Sequence, residues 1–231
     1  MTQGMTREPA LAELDIEEVL ERTPQRLLVL KESDTFLVAD VYGDVTGDAD
    51  GLFHDDTRLL SIFRLRFSGQ KPSLLSGMVS GDNVFFTAHM TNHPLSPLES
   101  AATPQGRHPH RAQALLVGRP DLRAHLPVQL WRPADAGPPL TLQFAADFHD
   151  MFEVRGEKRP RRGQHHPAQL GERTVQLSYT GLDQRWREVR IELSETPERL
   201  DEGCAEFLVD IREHASWVLH VEIGGGPAAQ P

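Results

Sequence analysis

A single cysteine, Cys204, stands in the whole chain, so an internal disulfide is excluded and no oxidising compartment is called for. No apolar run approaches the length of a membrane span, and residues 1–30 alternate charges with short apolar pieces instead of pairing a basic end with an apolar block. A cytoplasmic protein without a membrane partner is the expectation. Clustered positive charge is also lacking. The formal net charge is −10, whereas binding a phosphate backbone needs grouped Lys and Arg that release counterions, so nucleic acid is excluded as the main partner. Aromatic residues are scarce, with three Trp and two Tyr, which leaves few platforms for stacking sugar rings. There is no phosphate-cradling glycine loop ending in Lys-Ser or Lys-Thr and no Gly-x-Ser-x-Gly elbow, and Cys204 lies in an alternating pattern that suits burial better than reactivity. The chain therefore lacks a nucleophile for catalysis on its own.

What is present is turn chemistry and strand alternation. With 231 residues, 39% of them hydrophobic, and 18 Gly and 17 Pro, the chain is long enough for one turn-rich domain. Apolar segments at 27–30 and 35–38 flank Lys31, Glu32, Ser33 and Asp34 as a hairpin does. Phe63, Leu65 and Phe67 alternate with Arg64 and Arg66, giving a strand one apolar and one basic face. Short strands follow at 74–75 and 84–86, with a turn at 80–83. Alternation over Leu126, Val128 and Leu130, and again over Leu140, Leu142 and Phe144, predicts a further hairpin. Val175, Leu177 and Tyr179 form another set, as do Val189, Ile191 and Leu193. In the last, Phe207, Val209 and Ile211 are answered by Trp217, Leu219, Val221 and Ile223. Period two recurs and no strong amphipathic helix appears, so a stacked antiparallel all-β architecture is predicted. Residues 1–25 read as an acidic leader holding at most a short N-terminal helix through Leu11, Leu14, Val19 and Leu20. The β domain is predicted over 26–223, and 224–231 as a linker or cut end. Residues 94–109, rich in Pro and His, read as a long surface loop.

Chemistry is densest at 51–61, where His54, Asp55, Asp56 and Arg58 sit between a glycine and an apolar strand start. Taken alone, this reads as a charged loop in which Asp56 and Arg58 pair with each other or with backbone amides at a strand entrance. Asp48-Ala49-Asp50-Gly51 fails as a calcium loop, because Thr46 and Thr57 would fall at its first and closing ligand positions. His108 with His110, and His165 with His166, lack the spacing that aims two imidazoles at one ion, so no metal and no cofactor is predicted. The basic run Arg155, Lys158, Arg159, Arg161, Arg162, His165 and His166 either grips acidic groups or is a solvated turn balanced by Glu153 and Glu157. Asp147, Asp150 and Glu153 are candidate glycosidase carboxylates by proximity alone.

Several of these motifs recur together in a known order. Gly51-Leu52-Phe53, Asp56-Thr57-Arg58 and Leu60-Ser61 come first. Asp147-Phe148, Phe152-Glu153-Val154-Arg155-Gly156, Arg159 and Arg162-Gly163 follow, then Tyr179, Gly181-Leu182-Asp183 and Arg187. With the run 30–37 and Thr91-Asn92, the chain from about Arg26 resembles the N-terminal domain of bacterial glycogen debranching enzyme (amylo-α-1,6-glucosidase) relatives, 96–123 fitting poorly. The resemblance implies a large antiparallel β-sandwich, a supersandwich of mutarotase-like kind, preceding a C-terminal (α/α) barrel that carries the hydrolytic carboxylates. It implies a non-catalytic portion, inactive alone, of a glycoside hydrolase, bracing the barrel and lending loops to an α-glucan cleft. Asp56, Arg58, Glu153, Arg155, Asp183 and Arg187 are then the substrate-binding or domain-interface candidates, with junction favoured over sugar contact. Phe152, Val154, Tyr179 and Leu182 become core or loop anchors, and Gly156, Gly163 and Gly181 serve backbone geometry. Two other functions stay open: a stand-alone carbohydrate-binding or regulatory module, and a sugar-modifying enzyme using His54 with Asp56.

Overall fold

The computed structural model describes residues 27–67, 69–91, 109–117, 123–125, 128–131, 139–209 and 216–225. The predicted leader helix, Asn92, most of the 94–109 loop and the tail from 226 lie outside the described residues.

Numbered along the chain, the strands form four antiparallel sheets among the described residues. The first holds β1 (Leu28–Glu32), β2 (Thr35–Ala39), β3 (Gly51–His54) and β4 (Thr57–Leu60) in chain order. The second runs β18 (Ser216–Leu219), β10 (Val128–Trp131), β8 (Pro109–Val117), β7 (Phe85–Thr91) and β6 (Ser73–Val79), with β9 (Arg123–His125) also on β8. The third runs β16 (Arg199–Leu200), β17 (Cys204–Phe207), β11 (Leu140–Ala145) and β5 (Ile62–Phe67). The fourth runs β12 (Gln164–His165), β14 (Thr174–Thr180), β15 (Trp186–Leu193) and β19 (Val221–Gly224), with β13 (Gln169–Leu170) also on β14. A single apolar cluster joins all four sheets, drawing on Leu30, Leu60, Leu142, Ile191 and Leu219 among others. This is the all-β sandwich that the alternation predicts. No helix among the described residues is long and apolar enough to cross a membrane.

Alternation decides which face each strand buries. On β5, Phe63, Leu65 and Phe67 are buried while Arg64 and Arg66 keep only partial exposure. Those two guanidinium groups hold the 40–50 loop: Arg66 Nη1 donates to Asp44 Oδ2 at 2.8 Å and Arg64 Nη2 to the Thr46 carbonyl at 2.6 Å. Burial pushes the Asp44 carboxyl above its ordinary value, against the pull of Arg66.

Three expectations are corrected. The 51–61 stretch is not a charged loop but the β3–β4 hairpin, with Leu52, Phe53, Leu59 and Leu60 buried. Only Asp55 and Asp56 form its turn, at φ of 46° and 61°, since a two-residue hairpin turn matches strand twist when both central residues are left-handed. Secondly, 126–130 and 140–144 do not pair: β10 lies between β8 and β18, and β11 between β5 and β17. Both alternations are satisfied by partners distant in sequence. Thirdly, the run from Trp217 to Ile223 is one alternation but two strands. It divides at His220, β18 joining β10 and β19 joining β15, and neither pairs with β17.

One short helix, α1 (Met151–Val154), also appears. Asp150 Oδ1 accepts from the Phe152 and Glu153 amides at 2.9 Å each, and Glu153 Oε2 accepts from the Asp150 amide at 3.1 Å. This reciprocal cap ties off the free amides of its first turn.

Candidate functional site

The tip of the β3–β4 hairpin meets the start of α1. Arg58 N donates to the His149 carbonyl at 2.7 Å and Met151 N to the Asp56 carbonyl at 3.1 Å, so two segments far apart in sequence are held edge to edge. The Arg58 side chain turns inward and is 4% exposed. It makes a forked contact with Asp147, Nε to Oδ1 at 3.1 Å and Nη2 to Oδ2 at 2.5 Å. Its Nη1 donates to the carbonyls of Asp48 at 2.7 Å and Asp50 at 3.0 Å. A planar guanidinium suits this work because its donors leave in fixed directions. Gly51 makes room for it: at φ 154°, a Cβ there would lie 2.5 Å from Arg58 Cδ.

Above this buried arginine lies a hollow of about 150 Å³ walled by Thr57, Asp150, Glu153, Arg162, Asp183 and Arg187, with Tyr179 and Phe148 behind. Each of its carboxylates has an arginine. Arg159 pairs with Asp150, and Arg162 Nε stands 3.1 Å from Glu153 Oε1. That second contact is ionic without being a hydrogen bond, since the buried Arg162 Nε–H finds no aligned acceptor. Arg162 Nη2 also donates to the Asp147 carbonyl at 2.8 Å. Arg187 grips Asp183 with both terminal nitrogens, at 3.1 and 2.9 Å, and its Nε lies 3.3 Å from Thr57 Oγ1. Hydrogen bonds from Arg187 hold the Asp183 carboxyl down at about 2, and Asp183 in turn raises Arg187. Gly181 lies beneath that pair, where a Cβ would come 2.3 Å from Asp183 Oδ1. Behind the hollow Phe148 stacks on Tyr179 at 5.6 Å, and His165 leans on Tyr179 at 5.0 Å. Burial, with Arg162 nearby, keeps the His165 imidazole below its ordinary value.

A second hollow, about 210 Å³, adjoins the first and shares Thr57 and Arg187 as its wall. His54, Asp55, Leu59, Arg185, Trp186, Glu188 and Gly225 complete its lining. Trp186 is stacked on His166 at 4.6 Å, and its Nε1 donates to Glu188 Oε2 at 3.0 Å.

Of the six sequence candidates, Glu153, Asp183 and Arg187 line the first hollow and Arg58 lies buried beside it. Asp56 is an exposed turn residue that contributes its carbonyl, and Arg155 is exposed at the C-terminal end of α1 outside the hollow. Phe152 and Leu182 are not buried anchors: they are 62% and 59% exposed. His54 is not poised against Asp56. Its Nδ1 lies 2.7 Å from Thr35 Oγ1, and its Nε2 lies 3.5 Å from Asp55. The acids Asp147, Asp150 and Glu153 are each committed to an arginine, which leaves none placed as a free proton donor. Residue reasoning missed Asp147 as the partner of Arg58, and it missed Thr57 and Trp186. The cap was open to it, because Asp150 and Glu153 have the spacing of a capping box. Cys204 is half-buried and its thiol is pushed up by that burial.

The family model for the N-terminal domain of (some) glycogen debranching enzymes matches residues 30–222. No curated protein matches the chain.

Proposed function

The chain belongs to the N-terminal domain family of glycogen debranching enzymes, and from that premise we propose that it is the non-catalytic N-terminal domain of a cytoplasmic, amylo-α-1,6-glucosidase-type glycoside hydrolase. In this reading the face built by β4, α1 and the start of β15 braces a catalytic (α/α) barrel that follows in the same protein. One observation carries it. β19 ends at Gly224, and Gly225 lines the hollow that shares Thr57 and Arg187 with the arginine–carboxylate cluster. Gly225, the last described residue, therefore lies on the face that bears Leu182 and the cluster.

Two further features fit a covered surface. Phe152 and Leu182 are large apolar side chains more than half exposed beside paired charges, an arrangement typical of the core of an interface. Arg155, Lys158 and Arg161 are exposed cations without an acid partner among the described residues, in a protein of net charge −10. They suit an acidic counter-surface. A stand-alone module would leave both apolar residues in water. The carboxylates here serve arginines, so bond cleavage falls to the barrel.

The test is the paired substitution Phe152→Ser and Leu182→Ser in the full-length enzyme. This chain alone should keep its circular dichroism spectrum and melting temperature. The full-length variant should unfold in two separate transitions instead of one and hydrolyse α-1,6 branches more slowly. A single unchanged transition with unchanged hydrolysis would sink the bracing role.

A further inference from the structure

The hollow beside Gly225 is built more carefully than a brace requires. Glu188 is fixed by two donors on the same oxygen, Trp186 Nε1 at 3.0 Å and Gln176 Nε2 at 2.8 Å, and its Oε1 has no hydrogen bond among the described residues. Trp186 is held by that bond and by its stack on His166, whose own Nε2 lies 2.8 Å from Thr180 Oγ1. These side chains are ordered before anything binds, so a ligand need not bear the cost of ordering them. Leu59, almost wholly buried, and Gly225 close the floor. The formal charges of the carboxylates and guanidinium groups in the lining cancel, Asp55 and Glu188 against Arg185 and Arg187. An anion or cation gains nothing from such a balance. A neutral ring with an apolar C–H face and a rim of hydroxyls matches it, the face on the indole, the hydroxyls on Glu188, Asp55 and the guanidinium groups. At about 210 Å³ the space suits one ring with open ends, not an enclosed chain.

We infer that this hollow is a subsite for one glucosyl unit of an α-glucan, next to the face that receives the barrel. The choice of α-glucan rests on the debranching reading; the site rests on the geometry.

Calorimetric titration of this chain alone with maltoheptaose tests it. Saturable binding is expected, weakened about tenfold by Glu188→Gln, which keeps shape and removes the charged acceptor, and at least as much by Trp186→Ala. Glu188→Gln keeps the test decisive if Trp186→Ala disturbs folding. No binding by the unaltered chain overturns the subsite, and undiminished binding by Glu188→Gln overturns its location. Equal affinity for a β-linked glucooligosaccharide overturns the ligand class. None of these outcomes touches the bracing role, which is read in the full-length enzyme, and failure of that role leaves the titration standing.

Discussion

Arg58 is a cation inside a β-sandwich, and its five donors account for why it is tolerated. Asp147 takes the fork, and the carbonyls of Asp48 and Asp50 take most of what remains. Arg58→Ala would leave Asp147 without its counter-charge and two loop carbonyls without a donor. The expected cost is about 3 kcal/mol in urea denaturation of this chain. Arg58→Lys should recover only part of it, because an ammonium cannot make the fork. A loss within experimental error for Arg58→Ala would mean that the loop is held by something else. The sequence displays Arg58 as a charge set between a glycine and an apolar strand, but the partner stands 89 positions away and nothing local announces it. Asp183 and Arg187 stand only four apart and are joined by their side chains, a local pairing by contrast.

Among the elements, the β3–β4 hairpin escaped the sequence reading, because its two strands are buried without period-two alternation. The apolar start of the second strand was legible, and so was the charge before it. The turn was not, because Asp-Asp is an uncommon filling for two left-handed positions. Asp56→Gly should therefore raise stability by about 0.5 to 1 kcal/mol, measured by chemical denaturation, as strain at φ 61° is relieved. A destabilised variant would instead show that the Asp56 carboxylate has a partner worth more than the strain. Strand pairing was less legible than the strands themselves. Period two says which face is buried and nothing of the neighbour, so β10 and β11 read as a hairpin while lying in different sheets. The four residues of α1 are too few to show helical period at all, and only the cap residues Asp150 and Glu153 betray it.

On the scale of the whole molecule, two carboxylates set opposite acid responses. Asp183, held at about 2 in the folded protein, stabilises it above the ordinary aspartate range, and that contribution is lost as pH falls from about 4 towards 2. Asp44, raised by burial, works the other way: its charged form weakens the fold at neutral pH, and protonation relieves this as pH drops through its raised value. Urea midpoints of the unaltered chain and Asp183→Asn should differ at neutral pH and converge between about pH 4 and about pH 2. A gap that persists at pH 2 would rule out Asp183 as the titrating group. The effect is small, since Asp183 is half in water. The division of the last alternation at His220 reaches further. β18 and β19 each supply the outermost strand of a different sheet, and both come from the final stretch of the domain. A nascent polypeptide emerging from the ribosome thus has two unfinished sheet borders until residue 224 clears the exit tunnel.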